Sequence, residues 1–167
     1  MPIVIETKVI KPAKLRIDAV RLELLNALGR EGTAIKQEYE KTVRTWQHKP
    51  KFEQQISLAK GEAAVLVGTD DKVFGYVDLG TRPHIIVPKR AGLLRFQSGY
   101  KAKTAPGVIG SSAGGKFGSV VYSRIVHHPG TVARNFSKII QKRRQKPFQN
   151  AMIKAMQKGA AKANARG

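Results

Sequence analysis

The chain has 167 residues, of which 41% are hydrophobic, and 31 lysines and arginines against 11 acidic residues give it a formal net charge of +20. Such a length and composition predict one globular domain, residues 1–167, with a modest core. There is no cysteine, which excludes disulfides and thiolate metal sites, and the apolar runs are too short to predict a membrane span.

The positive charge is concentrated towards the C-terminus. Residues 101–167 carry fourteen basic residues and no acidic one, and Asp78 is the last acidic residue of the chain. A surface of one sign repels itself and favours a polyanionic partner. We therefore expect DNA or another acidic partner, and a solvated basic tail is the alternative.

Two elements are predicted before residue 50. Met1–Ile10 alternates apolar and polar residues, which indicates an edge strand or an arm over residues 1–11 that pairs with a neighbour's sheet. From Ala13 to Gln47 the apolar residues follow helical spacing and predict one long helix. Its apolar stripe consists of Ile17, Val20, Leu24, Leu28, Ile35, Tyr39, Val43 and Trp46. A stripe of this length is typical of core packing, and packing between subunits is the alternative.

The middle of the chain predicts short antiparallel strands. Alternation over Lys51–Ala59 and an apolar run over Ala63–Val67 indicate a β-hairpin. The stretch from Phe74 to Phe96 then predicts a three-stranded meander, punctuated by Gly and Pro. Its strands are expected at Phe74–Val77, His84–Val87 and Leu93–Phe96. We expect this meander to pack on the helical stripe as the core, with Ile86 buried.

A long loop is predicted over Gln97–Ser119, which is rich in glycine, serine and lysine and is expected to be flexible. Within it, residues 110–116 (GSSAGGK) match the spacing of a phosphate-binding loop up to Lys116. The next residue, Phe117, is not the expected Ser or Thr, and a β-rich segment follows instead of a helix. A flexible loop is therefore preferred over nucleotide binding.

The C-terminal region predicts one strand and two helices. The strand is expected over Val120–Val126, and Thr131 is a plausible helix cap. Val132–Gln145 has a helical pattern, Pro147 is expected to break or restart it, and residues 159–167 are expected to fray. The predicted fold class is α+β: a long N-terminal helix packed on a mainly antiparallel sheet, with C-terminal helices and a long flexible loop.

No catalytic, metal or cofactor site is predicted. His84 and His127 lie at predicted strand ends beside proline turns, where hydrogen bonding to turn backbone is favoured over metal binding, since no carboxylate is near in sequence. The lack of carboxylates after Asp78 disfavours glycosidase and two-metal nuclease chemistry.

Two groups of basic residues are candidate contacts. The first is a dense cluster on the predicted C-terminal helix, Lys138, Lys142, Arg143, Arg144 and Lys146. Because aromatic residues are not interleaved with it, we expect it to contact phosphate groups or an acidic partner without sequence specificity. The second group, predicted to lie at a subunit interface, is Lys101, Lys103 and Lys116 in the long loop.

Three strings in order, GYVDLGTRPHIIVPK, LLRF and IVHHPGT, are followed by a predicted C-terminal helix. Together they resemble a family of small tailed-phage proteins that join head to tail, as neck or tail-completion proteins. The resemblance covers residues 74–156, and the segments 97–119 and 132–146 depart from the family pattern. The motif residues it identifies are Gly80, Thr81, Pro83, His84, Pro88, His128, Pro129 and Gly130.

The resemblance implies a structural virion protein of a long-tailed bacteriophage and no enzyme. It implies a homo-oligomeric ring, expected to be sixfold, that is assembled in the host cytoplasm and completes the tail in the neck. The implied partners are head-closure or connector, tail-terminator and tail-tube proteins and the DNA backbone in the lumen, with no membrane. Composition alone supports an alternative, a basic nucleic-acid-binding protein without sequence specificity.

Overall fold

The computed structural model describes residues 17–59, 62–110 and 113–164. The helices are α1 (Ile17–Thr42), α2 (Lys72–Leu79) and α3 (Phe136–Asn164). The strands are β1 (Glu53–Ala59), β2 (Glu62–Gly68), β3 (His84–Ile86), β4 (Leu94–Lys101), β5 (Gly115–Ser123) and β6 (Val126–His128). The predicted α+β class is confirmed. The predicted arm over residues 1–11 lies outside the described residues.

The helices α1 and α3 pack antiparallel along their lengths. At one end Val20 lies against Gly159, where an added Cβ would be 2.5 Å from the Val20 Cα. Further along, Leu28 and Ile140 are fully buried. The long helix predicted from the apolar stripe is therefore confirmed, although it ends at Thr42 and not near Gln47. Its main partner is another helix.

An aromatic cluster closes the core where the three helices meet the start of β1. Phe74 of α2 lies 6.1 Å from Phe136 of α3 and 5.2 Å from Phe52, measured between ring centroids. Tyr39 of α1 stacks on Phe52 at 5.0 Å. Phe136 is 0% exposed, so this cluster anchors the start of α3 to the rest of the body.

The hairpin β1–β2 packs on the middle of α1, as the alternation predicted. Its strands are antiparallel, with Ile56 opposite Val65. The Gln54 side chain donates a hydrogen bond of 3.2 Å to the Gly29 carbonyl. A Cβ at Gly32 would lie 2.4 Å from Gln54, so this glycine allows the hairpin to approach the helix closely.

The predicted meander over residues 74–96 is wrong. Residues 72–79 form a helix, whose N-cap is Asp71: its carboxylate accepts the Phe74 N–H at 2.7 Å, and Gly80 at φ 77° follows its last turn. The other two strands are present but do not pair together, since β3 pairs with β6 and β4 with β5. The side chains of this segment favour a strand, but packing outweighs that preference. As a helix, the segment places Phe74 in the aromatic core.

The meander is also not the core. Ile86 is 36% exposed and Phe96 is 37% exposed, so an aspartate at position 86 would not place a charge in the interior of this chain. Among the residues of that stretch, Phe74 supplies the core contact, and it does so from a helix.

The bounds predicted for the flexible loop over residues 97–119 need correction. β4 continues through Lys101 and β5 begins at Gly115, so the connection between them comprises residues 102–114. The glycines and lysines at both ends of residues 97–119 favoured a loop. Backbone pairing between the strands, such as that of Tyr100 with Lys116, extends the β4–β5 ribbon into both ends of that segment.

Three details of the C-terminal region also differ from prediction. The single strand expected over residues 120–126 is divided between β5 and β6. Thr131 is not a cap but pairs with Thr81. Pro147 lies inside one continuous α3, because packing along α1 outweighs the local cost of proline. Residues 159–164 belong to that helix, with Gly159 and Ala163 buried, so the predicted fraying does not hold for them.

Candidate functional site

The two ends of the sequence motif come together in space. The strands β3 and β6 pair so that His84 is opposite His128. Beyond them Thr81 and Thr131 exchange backbone hydrogen bonds of 2.9 and 3.1 Å. The motif residues 80–84 and 128–131 therefore form one structural unit, although about fifty residues separate them in sequence.

Glycine is required on both sides of this crossing. Gly80 has φ 77° and Gly130 has φ 89°, values that residues with a Cβ adopt at a cost. A Cβ would also lie 2.6 Å from the Thr131 carbonyl oxygen at Gly80, and 2.3 Å from the Thr81 carbonyl oxygen at Gly130. Each glycine thus lets its segment approach the backbone of the other.

The histidines of the motif stabilise the turns beside it. The rings of His84 and His128 stack at 4.9 Å. His84 Nδ1 donates to the Arg82 carbonyl at 2.9 Å, and His128 Nδ1 accepts the Gly130 N–H at 3.0 Å. The predicted turn hydrogen bond is therefore present at His84. The second such bond is made by His128 and not by the predicted His127, which lies opposite Ile85.

The β4–β5 ribbon exposes large apolar side chains on both faces. Val120, Val121 and Tyr122 follow one another in β5 and are 43%, 36% and 59% exposed. Successive residues of a strand point to opposite faces, so neither face of the ribbon is fully covered by the part of the chain that the structure describes. Phe117, at 58%, and Tyr100, at 66%, extend the exposed apolar surface towards the open end of the ribbon.

The predicted basic cluster on α3 is divided between two roles. Arg144 pairs with Glu31 at 2.5 Å and Arg143 with Glu38 at 3.8 Å, both across the contact with α1. The lysines of the cluster, Lys138, Lys142 and Lys146, are exposed, and none of them has an acidic partner within the described residues. Of the five cluster residues, these three lysines are therefore the ones that have no acidic partner in the described part of the chain.

A second ion-pair group, missed by the sequence analysis, lies at the other end of the α1–α3 contact. Glu23 is 4% exposed, and Lys162 and Lys158 reach its two carboxylate oxygens at 2.5 and 3.2 Å. The hydrogen bond from Lys162 lowers the pKa of Glu23, and this outweighs the opposing effect of burial. Four basic side chains of α3 therefore neutralise acids of α1.

The three lysines predicted for a subunit interface lie near one another at the open end of the ribbon. Lys101 ends β4, and Lys116 lies opposite Tyr100 at the start of β5. Lys103 Nζ donates to the Thr45 carbonyl at 3.0 Å.

Near these lysines, the His48 ring bonds to the carboxylate of Asp71. This hydrogen bond is the main cause of a lowered pKa at Asp71.

No protein-family model, curated protein or solved structure matches this chain. Within residues 17–59, 62–110 and 113–164, no three histidine or acidic side chains are grouped so that they could hold a metal ion. None of the described helices is long and apolar enough to cross a bilayer.

Proposed function

We propose that this chain is a structural virion protein of a long-tailed bacteriophage, forming a ring in the neck that completes the tail and joins it to the head connector. The motif strings that resemble this family support the proposal, and their residues occupy one crossing of β3 and β6. The main support for the proposal is the exposed apolar surface of the β4–β5 ribbon.

An isolated two-stranded ribbon is at best marginally stable in water. Contiguous exposed apolar side chains of this kind mark association surfaces. The surface runs from Phe117 to Tyr122 on β5 and continues onto Tyr100 of β4. Covering it with neighbouring subunits or neck proteins would stabilise the ribbon and close an assembly, which is the role of a neck ring component.

Assembly is tested by light scattering and electron microscopy of the purified chain over a range of concentrations. The informative variant is Tyr122→Ser, and the matched control is Ile153→Ser on α3, because these side chains are similarly exposed at 59% and 54%. Loss of a central aromatic contact typically costs an interface about 2 kcal/mol. The Tyr122 variant should therefore shift the assembly midpoint more than tenfold, while the control assembles as the wild type does.

A second candidate function, binding of nucleic acid through its phosphates, is favoured by the exposed lysines of α3. Replacing Lys138, Lys142 and Lys146 with Gln should lower the salt dependence of duplex DNA binding equally for any sequence. Arg144→Gln is not a suitable part of this variant because it breaks the contact with Glu31. A chain that stays monomeric with the tail-tube and connector proteins present, yet binds free DNA, would favour this candidate over the neck ring.

A further inference from the structure

A cleft of about 640 Å³ lies where the end of α1, the helix α2 and the open end of the β4–β5 ribbon meet. Its lining includes the aromatic residues Trp46 and Tyr100, the cations Lys103, Lys116 and Arg134, and the backbone of Gly114 and Gly115. This volume is within the range of small-molecule sites in proteins. Tyr100 also belongs to the proposed association surface, but that assembly does not account for Trp46 and Arg134 beside it.

The cleft carries an excess of positive charge. Lys103, Lys116 and Arg134 all line it, and no acidic side chain of the described residues does. Arg134 is held in place by bonds from Nε to the Thr104 hydroxyl at 3.3 Å and from Nη1 to the Val132 carbonyl at 3.1 Å. Because neither acceptor is a carboxylate, the charge of the guanidinium is available to an anion that enters the cleft.

The nearby carboxylate of Asp71 is already engaged. One of its oxygens bonds to His48, which lines the cleft, and the other accepts the Phe74 N–H at 2.7 Å. Its charge is therefore directed towards an imidazole and a helix N-terminus. An anion in the cleft would face Lys116 and Arg134 on the other walls.

The aromatic residues give the cleft an apolar wall beside the cations. Trp46 is half-buried, with its ring centroid 6.3 Å from that of Phe74, so it is supported by the core. Tyr100 is 66% exposed. Flat aromatic rings next to lysine and arginine are the combination that proteins use to bind nucleotides by stacking and charge.

Part of the remaining wall is bare backbone. Gly115 has φ 149°, and at Gly114 a Cβ would lie 2.6 Å from the Lys101 carbonyl oxygen. Lys116 follows these glycines on β5, so the lysine of the GSSAGGK string enters the cleft from a strand. The arrangement differs from a phosphate-binding loop, which requires a helix at that point.

We propose that this cleft binds a nucleotide unit, with its phosphate at Lys116 and Arg134 and its base against Trp46. The unit is a free nucleotide or one residue of a single-stranded nucleic acid, since both present the same phosphate and base. A duplex keeps its bases stacked inside and cannot offer one to Trp46. The proposal does not depend on the neck assembly, because the cleft is formed within one chain.

The test uses the emission of Trp46, which is the single tryptophan of the chain and so reports on this cleft. The full chain is titrated separately with thymidine monophosphate, with oligothymidylate of about ten residues, and with inorganic phosphate. The variant is Lys116→Gln, and the matched control is Lys154→Gln, which removes the same charge from an exposed site on α3. Both positions are exposed, so both variants should fold.

We expect saturable quenching by oligothymidylate, with a Kd that rises at least about tenfold in Lys116→Gln, the loss typical of a hydrogen bond to a charged group. Lys154→Gln should keep the wild-type Kd. If thymidine monophosphate also quenches the emission, a free nucleotide is sufficient for binding. If only the oligonucleotide quenches it, the ligand is a single-stranded nucleic acid. Both results support the site. The proposal is overturned by no quenching, by equal weakening in the two variants, or by inorganic phosphate that quenches as strongly and as tightly as the nucleotide.

Discussion

The helical body and the β-ribbons use their apolar residues in opposite ways. In the body, α1, α2 and α3 bury Phe74, Phe136 and Ile140 within one chain. In the β4–β5 and β3–β6 ribbons, side chains such as Tyr122 and Ile85 are 59% and 57% exposed. The body therefore supplies the stability of the isolated chain, while the apolar surface of the ribbons is available for association.

The largest expected effect contrasts one phenylalanine from each region. Phe136→Ala removes a fully buried ring from the aromatic core and should lower the free energy of unfolding by about 3–5 kcal/mol. Phe117→Ala, which removes a ring that is 58% exposed, should change it by less than about 0.5 kcal/mol. Urea unfolding at a concentration where the chain is monomeric measures both. Equal losses would mean that the ribbon is part of the folded core.

The same contrast explains how much of the fold could be predicted from sequence. The helix α1 was predictable because its apolar residues repeat with helical spacing within one segment. Packing against α3 uses this same apolar face. Residues 72–79 mislead because Phe74, Tyr76 and Val77 favour strands in isolation. A better local signal was present: Asp71 stands three residues before Phe74 and Gly80 follows the segment, the pattern of a capped helix.

The candidate sites were predictable only in part. The motif strings identified the residues that meet at the β3–β6 crossing, but not their pairing, because pairing depends on contacts distant in sequence. Arg143 and Arg144 of the basic cluster pair with acids of α1, and these pairs could not be assigned from sequence because the partners lie far apart in the chain. Glu31 and Glu38 are seven residues apart and so share a face of the helix, which is a signal for a basic helix packed alongside. The cleft has no comparable signal, since its walls come from five separate segments of the chain.

A second prediction concerns the crossing that links the ribbons to the body. Gly130→Ala would place a Cβ 2.3 Å from the Thr81 carbonyl oxygen at φ 89°, and should cost about 1–3 kcal/mol. The control is Gly92→Ala, where the added Cβ would meet no atom within 4 Å and stability should be unchanged. Thermal unfolding followed by circular dichroism distinguishes them. An equally stable Gly130→Ala protein would contradict the close approach of the two segments.

A third prediction concerns how α2 holds the start of α3. The Asp78 carboxylate accepts the Ser137 N–H at 3.2 Å and the Ser137 hydroxyl at 2.6 Å, so it caps a helix that begins far away in sequence. Asp78→Ala should lower the free energy of unfolding by about 1 kcal/mol, as loss of an N-cap does. Asp70→Ala, an exposed neighbour, should have little effect. If both variants unfold at the same urea concentration, the cap does not stabilise the body.

The smallest effect is expected at the ion pairs between α1 and α3, and it should depend on pH. Glu23→Gln removes the negative charge with which both Lys158 and Lys162 pair. It should lower the midpoint of urea unfolding at pH 7. Both lysine side chains are more than half exposed, at 61% and 55%, so solvent screens the attraction and the loss should be modest. The control is Glu40→Gln, whose exposed pair with Lys36 is 3.9 Å long and should contribute almost nothing.

The direction of the pH dependence follows from the pKa of Glu23, which the hydrogen bond from Lys162 holds below its usual value in the folded chain. In the unfolded chain the group titrates near its ordinary pKa of about 4.3. The stabilisation is therefore complete above that pH and is lost as the pH falls through the lower folded-state pKa. Wild type should be more stable than Glu23→Gln at pH 7, and the difference should shrink below about pH 4. A difference that stays constant down to pH 2 would mean that Glu23 acts through packing between the helices and not through its charge.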